Sequence, residues 1–341
     1  MRHRRILTLF AVLALSLLLA ACAAEDDDVD VGDLDDTDDT EEDAPDEVAE
    51  EDAPATDGDG VTLAANPWPG SYANANVAAI LLEEELGIDA EIVEIDENAQ
   101  WTGLADGDID AVLEVWPSGH LDNLETYVED PDGGVEDIGE LGAVGEIGWF
   151  TPQYVVDEYP EMESWEGIEG NEEIFATAET GDSGQFLAAD PSFVQFDEHI
   201  IDNLGLDLEV VQSGSEAAQL SEVEAAIANE EPILFYFYTP HWMFAEHDLA
   251  MVELPEVTDE CEQAPEEERD CGYPEDVLLK VASDQLAERN PDAHGFLSAF
   301  TMENEWQDEI TYRMDVEGED ERAAAQWWVD EYEDVWTDWI P

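Results

Sequence analysis

Residues 61–95 read VTLAANPWPGSYANANVAAILLEEELGIDAEIVEI, and this stretch decides the predicted fold. The apolar run at 61–66 predicts a strand, and the run at 75–87 predicts a helix that ends at Gly87. A second strand is predicted at 90–95. Strands that alternate with helices in this way favour a parallel sheet with helices packed on its faces.

The same alternation extends along the rest of the chain. A helix is predicted at 98–107, a strand at 109–115 (IDAVLEV) and a helix at 121–128. A long extended run at 146–156 contains a proline and could carry the chain into a second half. Beyond it we expect strands at 172–179, 208–213, 232–238 and 277–283, and helices at 196–205, 215–230 and 320–339. Two α/β halves joined by extended crossings favour a ligand cleft at the carboxyl ends of the strands.

The chain begins with a segment typical of export. Three arginines within the first five residues precede an apolar run at 6–19, which is too short to span a bilayer comfortably. The run ends in Leu-Ala-Ala-Cys at 19–22, which looks like a bacterial lipoprotein signal. We therefore expect residues 1–21 to be a signal peptide and Cys22 to carry lipid. The alternative is an ordinary signal peptide with an incidental cysteine.

The next segment, 22–60, is predicted to be a disordered stalk. From residue 25 onward it consists almost entirely of Asp, Glu, Ala, Pro, Gly and Thr. Such a segment buries too little apolar surface to fold, and its like charges extend it.

Acidic residues dominate the whole chain. There are 92 Asp and Glu against 8 Lys and Arg, and no Lys or Arg lies between Arg5 and Arg269. This composition excludes nucleic acid as a partner, because few groups could neutralise phosphates. Self-repulsion on this scale becomes tolerable when salt near 1 M shortens the screening length to about 3 Å. A salty habitat is therefore predicted, with a merely acidic surface as the alternative.

Two of the three cysteines are predicted to form a disulfide. Cys261 and Cys271 bracket a short polar loop, EQAPEEERD, in a chain that carries an export signal. We interpret the bridge as a staple for this loop, with two free thiols as the alternative.

Motifs for catalysis and for metal binding are missing. The sequence contains no G-x-S-x-G, H-E-x-x-H, Walker loop or G-x-G-x-x-G. The acidic run at 106–110 begins like a calcium loop, but Ala111 and Pro117 stand where glycine and glutamate are required. We therefore expect no enzyme activity, no cofactor and no metal.

Aromatic residues at the ends of predicted strands are the most informative feature. Trp68 follows the first strand, Trp116 follows the third, Phe193 lies in a turn before a helix, and Tyr238 ends the strand at 232–238. Packing explains any one of them alone, but several at equivalent positions suggest a ligand site. A quaternary ammonium group has no N–H to donate, so aromatic faces are well suited to bind it.

Three stretches resemble a known family. LEVWPSGHLDNL (113–124), EPILFYFYTPHWMF (231–244) and YPEDVLLKVASDQLAERNPDAHGFL (273–297) are similar to the substrate-binding proteins of glycine betaine/proline betaine ABC importers. The resemblance runs from about Val61 to the C-terminus. It implies a two-domain clam-shell of the type II periplasmic-binding-protein-like α/β fold. The first domain would comprise 61–150 with 255–341, and the second 151–254.

The resemblance also implies an aromatic box for the cationic head of the ligand. The matching positions are Trp116, Phe193 and Tyr238, with Trp68 as a further candidate. The family often has tryptophan at all three box positions, so phenylalanine and tyrosine are departures here.

A carboxylate clamp is implied beside the box. It would consist of His120, four residues after the first box tryptophan, and the backbone N–H groups of Val194 and Gln195. Independently of the resemblance, these donors are of the kind left to a carboxylate where no Arg or Lys is near.

These features predict a solute-binding protein, lipid-anchored at the outer face of the cytoplasmic membrane. It would deliver glycine betaine or a related quaternary ammonium compound to an ABC permease and its ATPase. One alternative is a choline or carnitine binder, in which Glu114 would offer a carboxylate to a bare cation. Another is a ligand-sensing ectodomain with the same fold.

Overall fold

The computed structural model describes residues 60–341, which belong to one compact unit. The predicted signal peptide, Cys22 and nearly all of the predicted stalk lie outside the described residues. The α/β class predicted from the sequence is confirmed, because helices flank a central sheet.

A mixed nine-stranded sheet forms the centre of the described chain, in the order β2-β1-β3-β9-β4-β7-β5-β6, with β8 paired to β4. Its strands are β1 Val61–Ala65, β2 Ala90–Glu94, β3 Ala111–Val115, β4 Val135–Pro152, β5 Gly184–Ala188, β6 Leu208–Gln212, β7 Leu234–Thr239, β8 Leu249–Val252 and β9 Glu275–Ser283. Parallel pairing joins β1 to β2 and β3, and joins β5 to β6 and β7. The two parallel groups are linked by the antiparallel strands β9 and β4.

Fourteen α-helical segments of widely different length flank this sheet within residues 60–341. They are α1 Pro69–Leu81, α2 Gln100–Asp106, α3 Leu121–Asn123, α4 Gln153–Glu158, α5 Trp165–Ile168, α6 Asp197–Leu204, α7 Glu216–Asn229, α8 Met243–Glu246, α9 Asp259–Glu262, α10 Leu286–Arg289, α11 Pro291–Ala299, α12 Asn304–Asp315, α13 Glu321–Glu331 and α14 Glu333–Trp336. Helix α1 begins at a proline, which suits the first helical position because its missing N–H has no partner there anyway.

Three of the C-terminal tryptophans pack in the core. Trp328 is fully buried, and Trp336 and Trp339 are nearly so. The rings of Trp328 and Trp339 stack with their centroids 6.0 Å apart. Their contacts fasten the end of the chain to helix α11, where Phe300 lies 5.0 Å from Trp339.

The long strand β4, together with β9, connects the two parallel groups of the sheet. Its first part pairs with β9 as far as Glu146, and its second part pairs with β7 from Glu146 onward. The observed strand therefore begins earlier than the extended run predicted at 146–156. It also ends earlier, because α4 begins at Gln153. This strand is the crossing between the two halves of the sheet.

The prediction of a strand at 172–179 is wrong. Residues Glu172–Phe175 form a single 3-10 turn, and the strand that joins the sheet is β5. Thr177 and Thr180 stabilise the following turn, since the Thr180 hydroxyl accepts from the Thr177 N–H at 3.1 Å. Side-chain hydrogen bonds of this kind compete with a sheet ladder for the backbone.

Lys280 is the only lysine in the chain, and it is buried in strand β9. Its ammonium group donates to the backbone carbonyls of Leu297 and Ser298, at 3.0 and 2.9 Å, and to that of Phe300. These carbonyls belong to the last turn of α11 and the residues around it, where the negative end of the helix dipole favours a cation.

None of the helices among residues 60–341 is long and apolar enough to cross a membrane.

Candidate ligand-binding site

One cavity is lined by aromatic residues from four different strands or the loops that follow them. Trp68 stands between β1 and α1, Trp116 directly follows β3, Phe193 lies between β5 and α6, and Tyr238 belongs to β7. The four rings form two edge-to-face pairs. Trp68 and Phe193 have centroids 5.4 Å apart, and Trp116 and Tyr238 have centroids 5.6 Å apart. The structure therefore brings together all four aromatic residues that the sequence singled out.

The two indole rings are held from behind by one carboxylate. Glu114 in β3 is buried, and its Oε1 accepts from the indole N–H of Trp68 at 2.7 Å and of Trp116 at 3.1 Å. Its Oε2 accepts from the amides of Asn74 and Gln307 at 2.7 and 2.6 Å. Burial raises the pKa of Glu114 to about 7.

Glu114 is not among the residues that line the cavity. Its Oε1 is used by the two indole N–H groups, and its Oε2 is used by two side-chain amides. The carboxylate thus orients two rings. The choline alternative made Glu114 a direct partner of the cation, and these contacts do not support that role.

A second buried carboxylate holds the tyrosine of the site. Glu216, the first residue of α7, accepts from the hydroxyl of Tyr238 at 2.7 Å. Its other oxygen lies 3.2 Å from Nε2 of His241. Since Nδ1 of that ring accepts from the N–H of Met243, Nε2 carries the proton and donates. Burial and the charge of Glu216 hold the pKa of Tyr238 well above its usual range, so its hydroxyl remains a donor.

Asp197 supports a third pair of aromatic groups. It accepts from the indole N–H of Trp149 at 2.6 Å and from the hydroxyl of Tyr273 at 3.0 Å. Tyr273 lines the cavity, and its hydroxyl also accepts from the N–H of Phe196. Burial raises the pKa of Asp197 to about 6. Three buried carboxylates, Glu114, Glu216 and Asp197, are therefore each bonded to aromatic N–H or O–H groups at or near the cavity wall.

The turn after Trp116 is fixed by a fourth carboxylate. Asp276 at the start of β9 accepts from the N–H of Ser118 at 2.8 Å and from its hydroxyl at 2.6 Å. Gly119 completes this turn against Val194, where an added Cβ would lie 3.2 Å from the valine Cβ. The proline, serine and glycine after Trp116 thus bring two loops into close contact.

Two of the three predicted clamp donors, His120 and the N–H of Val194, converge on Glu97. The Nε2 of His120 lies 3.0 Å from one carboxylate oxygen of Glu97, and the N–H of Val194 donates to the other at 2.5 Å. Nδ1 of His120 accepts from the amide of Asn123 at 3.2 Å, which places the ring proton on Nε2. Glu97 lies between β2 and α2, is buried and lines the cavity.

Gln195, the last predicted clamp residue, supports its own loop. Its side-chain oxygen accepts from the N–H of Ala189 at 3.0 Å, and its amide donates to the carbonyl of Asp190 at 2.7 Å. Its side chain does not line the cavity. Gln195 thus holds the turn that presents Phe193 and Val194.

The predicted disulfide is confirmed and lies next to the site. Cys261 and Cys271 are bonded, with their Cα atoms 6.4 Å apart. Arg269 within the closed loop places its guanidinium carbon 3.8 Å from the ring centroid of Phe196. Phe196 also stacks on Tyr273 at 5.9 Å. The disulfide-closed loop thus packs against the cavity wall, through the contact of Arg269 with Phe196 and of Phe196 with Tyr273.

Comparison with known proteins identifies the family. Residues 59–331 match the family described as the substrate binding domain of ABC-type glycine betaine transport systems. The chain belongs to this family.

Relatives of this glycine betaine-type family share the fold at low identity. The trimethylamine N-oxide-binding protein of Pelagibacter ubique strain HTCC1062 is 22% identical over 286 residues, which cover 81% of this chain and 89% of that protein. Lactococcal OpuAC, in its closed conformation with glycine betaine, superposes with a TM-score of 0.65 at 20% identity and covers 83% of this chain and 100% of its own. A choline-binding protein of an ABC transporter, in complex with choline, superposes with a TM-score of 0.66 at 20% identity, covering 82% and 92%. These similarities confirm the predicted periplasmic-binding-protein-like fold.

Several wall residues of this family member escaped the sequence analysis. They are Glu97, Ser118, Gly119, Ile147, Phe196 and Tyr273. Tyr273 lay within a quoted stretch and Phe196 began a predicted helix, but neither carried a strand-end signal. Glu97 had no signal at all, because one glutamate among so many acidic residues cannot be distinguished by type.

Proposed function

We propose that this protein is an extracytoplasmic solute-binding protein that captures a quaternary ammonium compound and delivers it to an ABC permease. The observation that carries the proposal is the cavity walled by Trp68, Trp116, Phe193 and Tyr238. Rings attract a cation that cannot donate hydrogen bonds, at roughly 0.5–2 kcal/mol per desolvated face. Several faces together supply much of the ~8 kcal/mol that a micromolar site requires.

The charge around the cavity supports a cationic head group. Burial first, and then the charges of four nearby carboxylates, hold the pKa of Tyr236 well above its usual range; the carboxylates are Asp197, Glu97, Glu216 and Asp276. A site under such a negative potential favours a positive ligand group. Glycine betaine, proline betaine, carnitine and choline all carry one.

Isothermal titration calorimetry with these four compounds tests the proposal. We expect micromolar or tighter binding of at least one of them by the wild-type protein. Trp116→Ala should weaken that binding by about 100-fold, because it removes a cation–π face and apolar burial. Trp327→Ala is the matched control, since Trp327 lies on α13, outside this cavity, and contacts Arg313. An unchanged dissociation constant for Trp116→Ala would contradict the aromatic site.

The cavity is proposed to lie between two lobes that close on the ligand. One lobe would comprise 61–150 with 255–341, and the other 151–254. In support, Trp68 and Trp116 come from the first range, and Phe193 and Tyr238 come from the second. Small-angle scattering should report a smaller radius of gyration when the ligand is added. No change at saturating ligand would argue against closure.

We also propose that the protein is a lipoprotein with an acidic surface suited to high salt. The sequence Leu-Ala-Ala-Cys at 19–22 supports lipid at Cys22, and the formal net charge of −84 supports the surface. In cells that process lipoproteins, a Cys22→Ser variant should leave the membrane fraction. Retention of this variant at the membrane would contradict the anchor.

A further inference from the structure

The carboxylate of Glu97 occupies two hydrogen-bond donors beside the aromatic cavity. His120 donates through Nε2–H to one oxygen, and the backbone N–H of Val194 donates to the other. All three residues are largely buried or packed at the cavity wall, and Glu97 itself faces the cavity. Neither donor is therefore available to a second carboxylate while Glu97 holds its place.

No basic side chain balances Glu97 within residues 60–341 except His120. The amide nitrogen of Asn123 lies 3.2 Å from Nδ1 of His120, so both ring nitrogens of His120 have hydrogen-bond partners. The five basic residues of this part of the chain are engaged elsewhere. Lys280 binds backbone carbonyls, Arg269 covers Phe196, and Arg289, Arg313 and Arg322 pair with other acids. No Lys or Arg within residues 60–341 therefore pairs with the Glu97 carboxylate at the cavity wall.

We infer that Glu97 is a specificity-determining residue that makes the site select a quaternary ammonium monocation of the choline type over a zwitterionic betaine. A monocation brings one positive charge to the rings and to Glu97, so the pair is neutral. A betaine would bring a second carboxylate next to Glu97, in a buried site where like charges repel strongly and where its hydrogen-bond donors are already used. This inference rests on the proposed function and narrows it to one ligand class.

The decisive experiment compares choline with glycine betaine by calorimetry at one high salt concentration. Fixed high salt suppresses the non-specific attraction of choline to the acidic surface. We expect the wild-type protein to bind choline at least tenfold more tightly than glycine betaine. Equal affinities, or tighter binding of glycine betaine, would overturn the inference without any variant.

Two substitutions test whether Glu97 causes the preference for choline over glycine betaine. Glu97→Gln should weaken choline binding at least tenfold and leave glycine betaine binding unchanged or tighter. Glu97→Ala should free the donors of His120 and Val194 and tighten glycine betaine binding at least tenfold. Glu129→Gln is the control, because it removes the same charge from an exposed position outside the cavity wall. Circular dichroism verifies that each variant is folded.

The outcomes separate this inference from the proposed function. If Glu97→Gln weakens both ligands equally, the residue supports the fold of the site and the inference fails, while the function stands. If neither the wild type nor any variant binds a quaternary ammonium compound, the proposed function fails and the inference fails with it.

Discussion

Glu114 shows how one buried residue can set both the geometry and the pH response of the site. It accepts four hydrogen bonds, two of them from the indoles that line the cavity. Burial raises its pKa from 4.5 to about 7. The folded protein therefore retains a proton that the unfolded chain loses as the pH rises from 4.5 to 7.

This proton makes stability fall with rising pH. The contribution of Glu114 is fully present below pH 4.5 and is lost as the pH passes through 7, a difference of about 3 kcal/mol. Glu114→Gln should remove this part of the slope, as measured by urea unfolding at several pH values and fixed salt. The neutral amide can be accommodated, because the side-chain oxygens of Asn74 and Gln307 have no partner in the described chain and can accept from it after an amide flip.

Glu129→Gln serves as the control for the same measurement, since Glu129 is exposed. It should keep the wild-type slope between pH 4.5 and 7. If Glu114→Gln and Glu129→Gln have equal slopes, Glu114 is ionised in the folded protein throughout this range.

At the residue scale, the aromatic wall was predictable and its polar partners were not. Trp68 and Trp116 stand next to strand ends, and parallel strands present those ends at one edge, so their convergence follows from the pattern. Glu97 binds donors from two loops distant in sequence. No local pattern marks such a contact, because it depends on the packing of three separate loops.

At the scale of single elements, β4 supports the site through a glycine. Trp116 packs so closely on this strand that a Cβ added at Gly145 would lie 2.2 Å from its ring. The nearest atom to an added Cβ at Gly148 is the terminal methyl of Met251, at 3.1 Å. A flexible methionine can move aside, whereas an indole held by Glu114 cannot.

Gly145→Ala should therefore displace Trp116 and weaken ligand binding by tenfold or more. Gly148→Ala, on the same strand, should change the dissociation constant by less than twofold. Calorimetry on both variants makes the comparison. Similar affinities for the two variants would show that the indole is not confined by β4.

The stapled loop is the second element that bears on the site. Replacing both cysteines with serine releases the loop that holds Arg269 over Phe196. We expect a loss of at most about 3 kcal/mol of stability for a loop of this length. We also expect several-fold weaker ligand binding, because Phe196 lines the cavity. Arg269→Gln keeps the disulfide and tests the contribution of the guanidinium alone. If both variants bind the ligand with wild-type affinity, the loop does not contribute to the site.

Two strands, β5 and β8, could not be predicted from the sequence pattern. Strand β5 contains Gly184 and the buried polar residue Gln185, which reduce its apolar signal, and the neighbouring Glu-rich run at 172–179 looked more regular. Strand β8 spans only four residues. Both form because the edges of β7 and β4 need partners, which is a property of the assembled sheet.

At the scale of the whole molecule, charge repulsion should make stability depend on salt. Six carboxylates within residues 60–341 are buried, and the remaining acids are at least partly accessible to solvent. We expect the melting temperature to rise between 0.05 and 3 M NaCl, with most of the rise below about 1 M, where screening is nearly complete. A sucrose series of matched osmolality controls for general stabilisation. A melting temperature that is independent of NaCl would contradict the role of repulsion.

The buried ammonium of Lys280 gives this protein an intrinsic chemical reporter. An acylating reagent that attacks primary amines finds one lysine in the whole chain, and in the folded protein that amine is enclosed by three carbonyls. Acylation at position 280 must therefore wait until strand β9 separates from the end of α11. Under conditions in which the reagent is fast, the rate of labelling equals the rate at which the molecule opens, and adding the ligand should slow it.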